Sequence, residues 1–195
     1  MYNLRLFFGK KQVYDKPILK KGSDMMNKTK KMVLSALLAA LGCVATMVLM
    51  VPSPTGGYMN LGDAVVLLGA FLMGPAWGAL AAAIGPALAD LLSGYVMYVP
   101  GTLVIKALMA LAAAGLYRAL GKSGRAAVVS ALAAEAIMVV GYWLYDGVFI
   151  VGSLTGAAAG LPSNLTQAVF GAVVSVTMAL ALKRSAYIRR EFPEL

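Results

Sequence analysis

The amino-acid sequence predicts an all-α membrane protein with six transmembrane helices and both termini in the cytoplasm. Of its 195 residues, 61% are hydrophobic and 13% are charged, and the mean hydropathy is +0.80. Soluble chains average about 45–50% apolar and about 25% charged residues, so this composition is typical of an integral membrane protein. The basic residues cluster at the ends of apolar runs, which is the pattern that sets membrane topology.

Prolines, glycines and short polar loops mark where the apolar runs end. About twenty residues cover the roughly 30 Å hydrocarbon core of a bilayer, and the first run of this length ends before Pro52. Gly74 and Pro75 predict a tight turn between the second run, which is short, and the third. Gly78 and Gly85 lie near one face of the third run, where small residues let another backbone approach closely. The predicted spans are residues 32–51, 61–73, 77–92, 102–120, 126–150 and 162–182.

The positions of the basic residues orient these spans. Apart from Lys106, every Lys and Arg lies before residue 32, at 118–125, or after residue 182. The loops after the first, third and fifth spans carry no Lys or Arg, so the positive-inside rule places both termini in the cytoplasm. We therefore predict a basic cytoplasmic tail, a six-helix substrate-binding domain and a second cytoplasmic tail, at residues 1–27, 28–185 and 186–195.

Residue types that are missing from the sequence disfavour several functions. The chain has one cysteine, Cys43, and no histidine, which removes an intrachain disulfide, the commonest zinc ligand and the usual proton shuttle. No G-x-x-x-x-G-K-[ST] motif occurs, so we expect that the chain does not hydrolyse ATP itself and has no cofactor of its own. The net charge of +9 lies in the topology clusters, so we expect no nucleic-acid partner.

Polar residues gather at one end of the second to fourth spans. Asn60 and Asp63 open the second span, Asp90 closes the third, and Lys106 lies just inside the fourth. The predicted topology puts this cluster near the outer surface, where charges are costly unless they are paired or used. The candidate substrate-binding residues are Tyr58, Asn60, Asp63, Asp90, Tyr95, Tyr98, Lys106, Glu135, Tyr142, Asp146, Asn164 and Gln167.

The fifth and sixth spans each turn a polar face toward this region, because residues at helical spacing share a face. Asp146 lies toward the outer side and Glu135 lies near mid-span. A mid-span carboxylate costs about 2.5 kcal/mol or more on insertion, so we interpret Glu135 as a contact to a ligand or partner. The two faces comprise Glu135, Met138, Tyr142 and Asp146 in the fifth span and Asn164, Gln167, Gly171 and Ser175 in the sixth.

Purely structural roles are open for the same residues. Asp90 and Lys106 can neutralise each other as an ion pair, and Asp63 can cap a helix start, where a carboxylate accepts backbone hydrogen bonds. Asn164 and Gln167 can be helix caps or contacts between helices. The residues that can instead form an interfacial aromatic belt are Tyr95, Tyr98, Tyr142, Trp143 and Tyr145.

Aromatic rings beside amide and carboxylate groups suit a small, flat, polar heterocycle. The segments GYMNLGDAVVLLGAFLMGP, at residues 57–75, and ALADLLSGYVMYVPGTLVIKAL, at residues 87–108, resemble the substrate-binding S components of energy-coupling factor (ECF) transporters. The nearest branch is the one that includes riboflavin, hydroxymethylpyrimidine and pyridoxine carriers. The resemblance covers residues 28–185.

The resemblance implies a six-helix S-component bundle that binds a vitamin near the outer face and is not an enzyme. It implies docking on the membrane coupling protein EcfT, which works with two ATP-binding cassette (ABC) ATPases, through small residues of the first helix that are here Ala36 and Ala40. We expect pyridoxine or hydroxymethylpyrimidine as the substrate, with riboflavin as a further candidate. The protein is then expected to lie in the lipid bilayer of the bacterial cell membrane.

Two other functions compete with this interpretation. The alternative is a stand-alone proton-coupled secondary transporter, in which Glu135 or Asp90 titrates during transport. A membrane enzyme that uses Asp63 and Asp90 as metal ligands is weaker, because the two carboxylates are isolated in the sequence and histidine is absent.

Overall fold

The computed structural model describes residues 26–195, so most of the predicted basic tail lies outside the described residues. The described part is helical apart from one short β-hairpin between the first two helices. Turns of 3-10 helix cover Val96–Tyr98 and Ala158–Gly160, and a π-helical turn covers Asp146–Ile150. The elements are α1 (Lys28–Val48), β1 (Val51–Pro52), β2 (Tyr58–Met59), α2 (Gly62–Leu92), α3 (Val99–Ala119), α4 (Gly124–Tyr145), α5 (Leu154–Ala157), α6 (Leu161–Lys183) and α7 (Ala186–Glu191).

Helix α1 begins four residues earlier than predicted and ends three residues earlier. It begins after Asn27, whose side-chain Oδ1 accepts a hydrogen bond from the backbone N–H of Lys30 at 2.8 Å, as a helix cap does. It ends before Val51, because Val51 and Pro52 pair with β2 as an antiparallel hairpin. This hairpin brings the chain back over the end of the bundle.

Helix α2 consists of two antiparallel arms, which we call the first arm (62–73) and the second arm (75–92). Gly74 joins them with φ +75° and ψ −176°, a backbone conformation that is essentially restricted to glycine. A Cβ added at Gly78 would lie 2.8 Å from Cα of Ala70, so the arms pack backbone to backbone. The predicted turn at Gly74 is therefore confirmed.

Small residues also hold α1 against α2. A Cβ at Gly85 would collide with the backbone of Ala39 in α1, and Gly42 of α1 lies beside Val65 and Pro86, one from each arm. Helix α2 contacts α1, α3 and α6, and α4 packs against α3 and α6. The centre of the bundle is apolar, with Leu67 and Phe71 fully buried.

The outer surface of the bundle is apolar along every long helix, as expected for a surface that faces lipid. Within residues 26–195, five helical segments are long and apolar enough to cross a membrane: Lys28–Val48, Gly62–Leu92, Val96–Ala119, Gly124–Ile150 and Leu154–Lys183. These segments confirm the all-α membrane fold class. The number of crossings stays a prediction, because six requires each arm of α2 to cross once.

The segment after residue 185, predicted as a tail, is folded onto the bundle. Arg118 donates from Nε and Nη2 to the two carboxylate oxygens of Glu194, at 2.7 and 2.5 Å. The Tyr117 hydroxyl donates to the carbonyl oxygen of Leu195 at 2.7 Å, and Leu195 is buried. Lys30 forms an ion pair with Glu191. The C-terminal segment thus contacts both α1 and α3.

Candidate functional site

A polar cavity opens at the end of the bundle that carries the β-hairpin, and we call it the inner cavity. The hairpin, the end of α2, the start of α3, the end of α4 and the start of α6 contribute to it. Its volume is about 30 Å³, which holds one or two water molecules. It is lined by Ser53, Thr55, Gly57, Tyr58, Asn60, Asp90, Tyr98, Thr102, Tyr142, Asp146, Asn164 and Gln167.

Tyr58 and Asp90 join the hairpin to the end of α2. The Tyr58 hydroxyl donates a hydrogen bond to Oδ1 of Asp90. Burial, together with this neighbouring carboxylate, raises the pKa of Tyr58 well above its usual range, so the phenol stays protonated and can donate. Oδ2 of Asp90 is buried and has no hydrogen-bond partner within residues 26–195.

Asp146 provides a second free acceptor from the opposite side of the inner cavity. It lies in the π-helical turn that continues α4, and its residue is 3% exposed. Its Oδ1 is buried and makes no hydrogen bond in the described part of the chain. The Thr102 hydroxyl lies close to the Asp90 carboxylate, and the hydroxyls of Thr55 and Tyr98 lie close to that of Asp146. Buried polar atoms are normally satisfied, so the one oxygen of each carboxylate that has no partner within the described residues is suited to accept a hydrogen bond from a ligand.

Hydroxyl groups form the wall between these two acidic residues. Thr102, in the first turn of α3, lies 2.9 Å from the Tyr142 hydroxyl. Tyr98 packs its ring against Gly57 and donates to the carbonyl oxygen of Thr55 at 3.4 Å. These contacts connect the hairpin, α3 and α4 around the inner cavity.

An ion pair between Asp63 and Lys106 lies beneath the inner cavity, with both side chains 1% exposed. The Asp63 carboxylate also accepts from Nε2 of Gln167 at 2.6 Å, and Oε1 of Gln167 accepts from the backbone N–H of Asn60 at 2.7 Å. The Lys106 ammonium lies 5.2 Å from the centre of the Tyr142 ring, a favourable cation–π distance. This network fixes β2 to α2, α3 and α6.

Two structural hypotheses from the sequence are corrected by this network. Lys106 pairs with Asp63 rather than with Asp90, because Asp90 is turned toward Tyr58. Asp63 does not cap α2. Its neighbour Asn60 accepts the backbone N–H of Gly62 at 2.8 Å instead.

Glu135 lies deeper than the cavity wall, seven residues or about 10 Å along α4 from Tyr142. It is 2% exposed, and neither carboxylate oxygen has a partner within the described residues. A Cβ at Gly171 would collide with this carboxylate and with Cβ of Asp63, so the two acidic side chains meet at Gly171. A contact between Glu135 and substrate stays a prediction.

An aromatic row borders the inner cavity on its outer side. Tyr95 packs on Tyr58 with ring centres 4.5 Å apart, and Tyr98 lies 6.3 Å from Tyr95 and 6.1 Å from Tyr145. Phe149 continues the row at 5.0 Å from Tyr145. Tyr95 therefore supports the cavity residue Tyr58 from behind.

The structure brings together eight of the twelve predicted substrate-binding residues in the cavity wall: Tyr58, Asn60, Asp90, Tyr98, Tyr142, Asp146, Asn164 and Gln167. Asp63, Lys106 and Glu135 lie beneath the wall, and Tyr95 lies behind it. Sequence reasoning missed Ser53, Thr55, Gly57 and Thr102. Thr102 could have been found, because it is spaced by four residues from both Tyr98 and Lys106 and so shares their helical face.

A second feature, which we call the docking groove, lies between α1 and the second arm of α2. Its volume is about 400 Å³, and its lining is almost entirely apolar. The predicted docking residues Ala36 and Ala40 line it and are exposed, and Trp77 and Ile84 form the opposite wall. The residues that the sequence selected for docking therefore share one surface.

Asp63 and Asp90 do not form a metal centre with other residues. Within residues 26–195, no group of three or more His, Cys, Asp or Glu side chains is arranged to hold a metal ion. Asp63 is paired with Lys106, and Asp90 accepts a hydrogen bond from Tyr58.

Comparison with known proteins decides the family. The family described as "ECF-type riboflavin transporter, S component" matches residues 26–184. The chain belongs to this family. The protein is therefore an S component, a membrane-spanning binding subunit of a vitamin transporter and not an enzyme, as the resemblance implied.

Two individual proteins are similar to this S component. A protein from Pyrococcus woesei, described as "Uncharacterized protein in gap 3'region", is 32% identical over 142 residues, which span 72% of this chain and 93% of that protein. A solved structure described as "Structure and mechanism of the S component of a bacterial ECF transporter" matches with a TM-score of 0.67 at 16% identity. It covers 81% of this chain and 98% of that one, which supports the shared fold.

Proposed function

We propose that this S component binds a small water-soluble vitamin or vitamin precursor in the inner cavity, for uptake driven by an EcfT-type coupling protein and two ABC ATPases. The observation that carries the proposal is the ring of hydroxyl, amide and carboxylate groups, including the free oxygens of Asp90 and Asp146, inside an otherwise apolar bundle. Such convergent polar groups orient a ligand.

The orientation of the bundle supports uptake from outside the cell. The inner cavity lies at the ends of the helices that are remote from Arg118, Lys122 and the basic residues after 182. Basic loops favour the cytoplasm. We therefore place the termini in the cytoplasm and the inner cavity at the outer face of the cell membrane.

The charge of the inner cavity selects the chemistry of the substrate. Asp90 and Asp146 present acceptors without a cation in the wall, and the ammonium of Lys106 is used by Asp63. Phosphorylated or carboxylate vitamins would be repelled, whereas ligands with hydroxyl or amino donors would be bound. Pyridoxine, hydroxymethylpyrimidine and riboflavin all carry such donors without a net negative charge.

We favour pyridoxine or hydroxymethylpyrimidine, because a single ring requires less enlargement of a 30 Å³ cavity than the three rings of riboflavin. Either ligand requires the hairpin or its side chains to move outward. Riboflavin is the second candidate, since the family description names it.

The test is calorimetric titration of the purified protein with these three vitamins and with pyridoxine 5′-phosphate as an anionic control. Native mass spectrometry of the same sample identifies any vitamin that co-purifies. We expect tight binding of one uncharged vitamin and at least tenfold weaker binding of the phosphate ester. Equal or tighter binding of the anion would contradict the proposed substrate class.

The coupling partners and the absence of a cofactor in this chain belong to the same proposal. The docking groove provides an apolar surface of small residues for a transmembrane partner, and ATP is used by the partner subunits alone. The alternative, a proton-coupled secondary transporter, is favoured by one observation: the buried carboxyl of Glu135 has no hydrogen-bond partner in the part of the chain that the structure describes. Liposomes that contain only this chain separate the two: accumulation of vitamin from a proton gradient would contradict our proposal.

A further inference from the structure

The end of the bundle opposite the inner cavity carries positive charge that acidic residues do not balance. In the described part of the chain, ten of the eleven Lys and Arg residues lie at this end, against two acidic residues, Glu191 and Glu194. Glu191 pairs with Lys30, and Glu194 pairs with Arg118 and Lys122. Seven basic side chains of this end have no ion-pair partner among the described residues: Lys28, Lys31, Arg125, Lys183, Arg184, Arg189 and Arg190.

Two of these cations, Arg189 and Arg190, lie on the folded C-terminal segment. Helix α7 begins after Ser185, whose side-chain Oγ accepts a hydrogen bond from the backbone N–H of Ile188 at 3.4 Å. Ile188 and Phe192 pack against the apolar core, and Arg189 and Arg190 are exposed on the other side of the helix. The two guanidinium groups are therefore carried by a helix that is fixed to the bundle.

The start of α1 adds two further cations beside α7. The ion pair of Lys30 with Glu191 joins the two helices. Lys31 follows Lys30 in the sequence and Arg190 precedes Glu191, so cations of both helices flank this contact. Because Glu191 is already paired with Lys30, it does not neutralise the cations beside it. We call the five unpaired side chains at the start of α1, the end of α6 and along α7 the basic patch: Lys28, Lys31, Arg184, Arg189 and Arg190.

The basic patch lies where lipid headgroups are expected. Helix α1 begins at Lys28 and α6 ends at Lys183, and both helices belong to segments that are long and apolar enough to cross a membrane. A cluster of about four to eight Lys and Arg residues at the end of a membrane span attracts anionic lipids, and each charge strengthens binding about fivefold. Tyr187 of α7 is 70% exposed, and tyrosine favours this interfacial layer. Residues 1–25 hold six Lys and Arg against two Asp, so their charge does not neutralise the patch.

We propose that the basic patch binds the headgroup of an anionic phospholipid and holds this end of the bundle in the headgroup layer. The guanidinium groups of Arg184, Arg189 and Arg190 donate hydrogen bonds to the phosphate oxygens, because the paired donors of arginine match the geometry of an oxyanion. The ammonium groups of Lys28 and Lys31 add attraction by charge. This inference goes beyond the proposed function, since neither vitamin binding nor docking on a coupling protein requires a particular lipid.

The test is native mass spectrometry of the purified full chain after incubation in detergent with equal amounts of dioleoyl phosphatidylglycerol and dioleoyl phosphatidylcholine. The ratio of the two bound lipids measures the preference for the anionic headgroup. One triple variant carries Arg184→Gln, Arg189→Gln and Arg190→Gln, and a second replaces the same three residues by Lys. The single variant Arg190→Gln is compared with Arg125→Gln, because Arg125 is also exposed but lies at the start of α4, outside the basic patch.

We expect the wild type to bind at least about tenfold more phosphatidylglycerol than phosphatidylcholine, and the triple Gln variant to lose most of this preference. Arg190→Gln should lower the preference about three- to fivefold, whereas Arg125→Gln should leave it within about twofold of the wild type. The triple Lys variant should keep most of the preference, because it retains the charge; its loss would show that the substitutions act through the fold and would overturn the proposal.

Two other results would overturn the lipid site. If Arg125→Gln lowers the preference as much as Arg190→Gln does, the total charge of this end is the cause and the basic patch is not a site. If the wild type binds the two lipids equally, the occupant is not an anionic phospholipid, and an acidic protein surface becomes the better partner for the basic patch.

Discussion

At the scale of single residues, the ion pair of Lys106 and Asp63 joins α3 to α2 inside the bundle. Both side chains are almost completely buried, and Gln167 donates to the remaining oxygen of Asp63. A buried ion pair gains little over an apolar pair, but one charge left alone is costly, because its desolvation is no longer compensated. The pair therefore fixes the position of the helices beneath the inner cavity.

Lys106→Met should lower the free energy of unfolding by about 3–5 kcal/mol, because it leaves the Asp63 carboxylate buried without its partner. The double variant Asp63→Leu with Lys106→Met should recover much of this loss. Thermal unfolding in detergent measures both, with the exposed Lys28→Met as the matched control. A single variant as stable as the wild type would show that the ion pair does not form.

At the scale of elements, the turn that joins the two arms of α2 depends on the backbone of Gly74. Its φ of +75° is available to glycine, and a side chain there would also meet Arg118 and Glu194. Gly74→Ala should therefore lower the free energy of unfolding by about 1–3 kcal/mol. Gly115→Ala, in the C-terminal part of α3 with open space around it, should be neutral or stabilising by up to about 1 kcal/mol. Equal effects of both substitutions would contradict the turn at Gly74 between the two arms of α2.

The C-terminal segment makes a pH-dependent contact. Hydrogen bonding to Arg118 lowers the pKa of Glu194 below its usual range. The stabilisation is therefore present above the unfolded-state pKa of about 4.3, and it is lost as the pH falls through the lower folded-state pKa. Glu194→Gln should lower stability at pH 7 by at most about 1 kcal/mol, since the pair is partly exposed. Unfolding curves of variant and wild type should converge in acid, and a difference that persists there would exclude the carboxylate as its cause.

At the scale of the whole molecule, binding and transport should be separable, because the inner cavity and the docking groove lie on different surfaces. Ala36→Trp and Ala40→Trp fill the docking groove, so we expect unchanged vitamin affinity in detergent and a loss of most ATP-driven uptake in cells. Ala136→Trp, at an exposed position of α4, is the control and should preserve both. Normal uptake by both groove variants would exclude this surface as the docking site.

The sequence predicts the helical framework well, because hydropathy and charge act along the chain. Gly74 and Pro75 specified a turn that the structure contains. The partner of Lys106 could not be predicted, since Asp63 and Asp90 both lie near the outer ends of their predicted spans and the lateral arrangement of the helices decides between them. The positions of Ser53 and Thr55 in the wall of the inner cavity were missed, because the residues of a loop follow no periodic pattern in the sequence.

The sequence contains a pattern that favours packing of the C-terminal segment on the bundle, but the basic residues around it favour a tail. Ile188 and Phe192 are spaced by four residues and pack on the core, and this apolar spacing lies between basic residues that favour a cytoplasmic tail.

The central claim is that the vitamin donates hydrogen bonds to the two free carboxylates of the inner cavity. Its most direct test is calorimetric titration of Asp90→Asn and Asp146→Asn with the vitamin that the wild type binds. Glu191→Gln serves as the control, because its carboxylate pairs with Lys30 on the opposite side of the bundle. Because hydrogen bonds to charged groups contribute about 1.5–3 kcal/mol, we expect each cavity variant to bind at least about tenfold more weakly. Wild-type affinity in both cavity variants would contradict the claim.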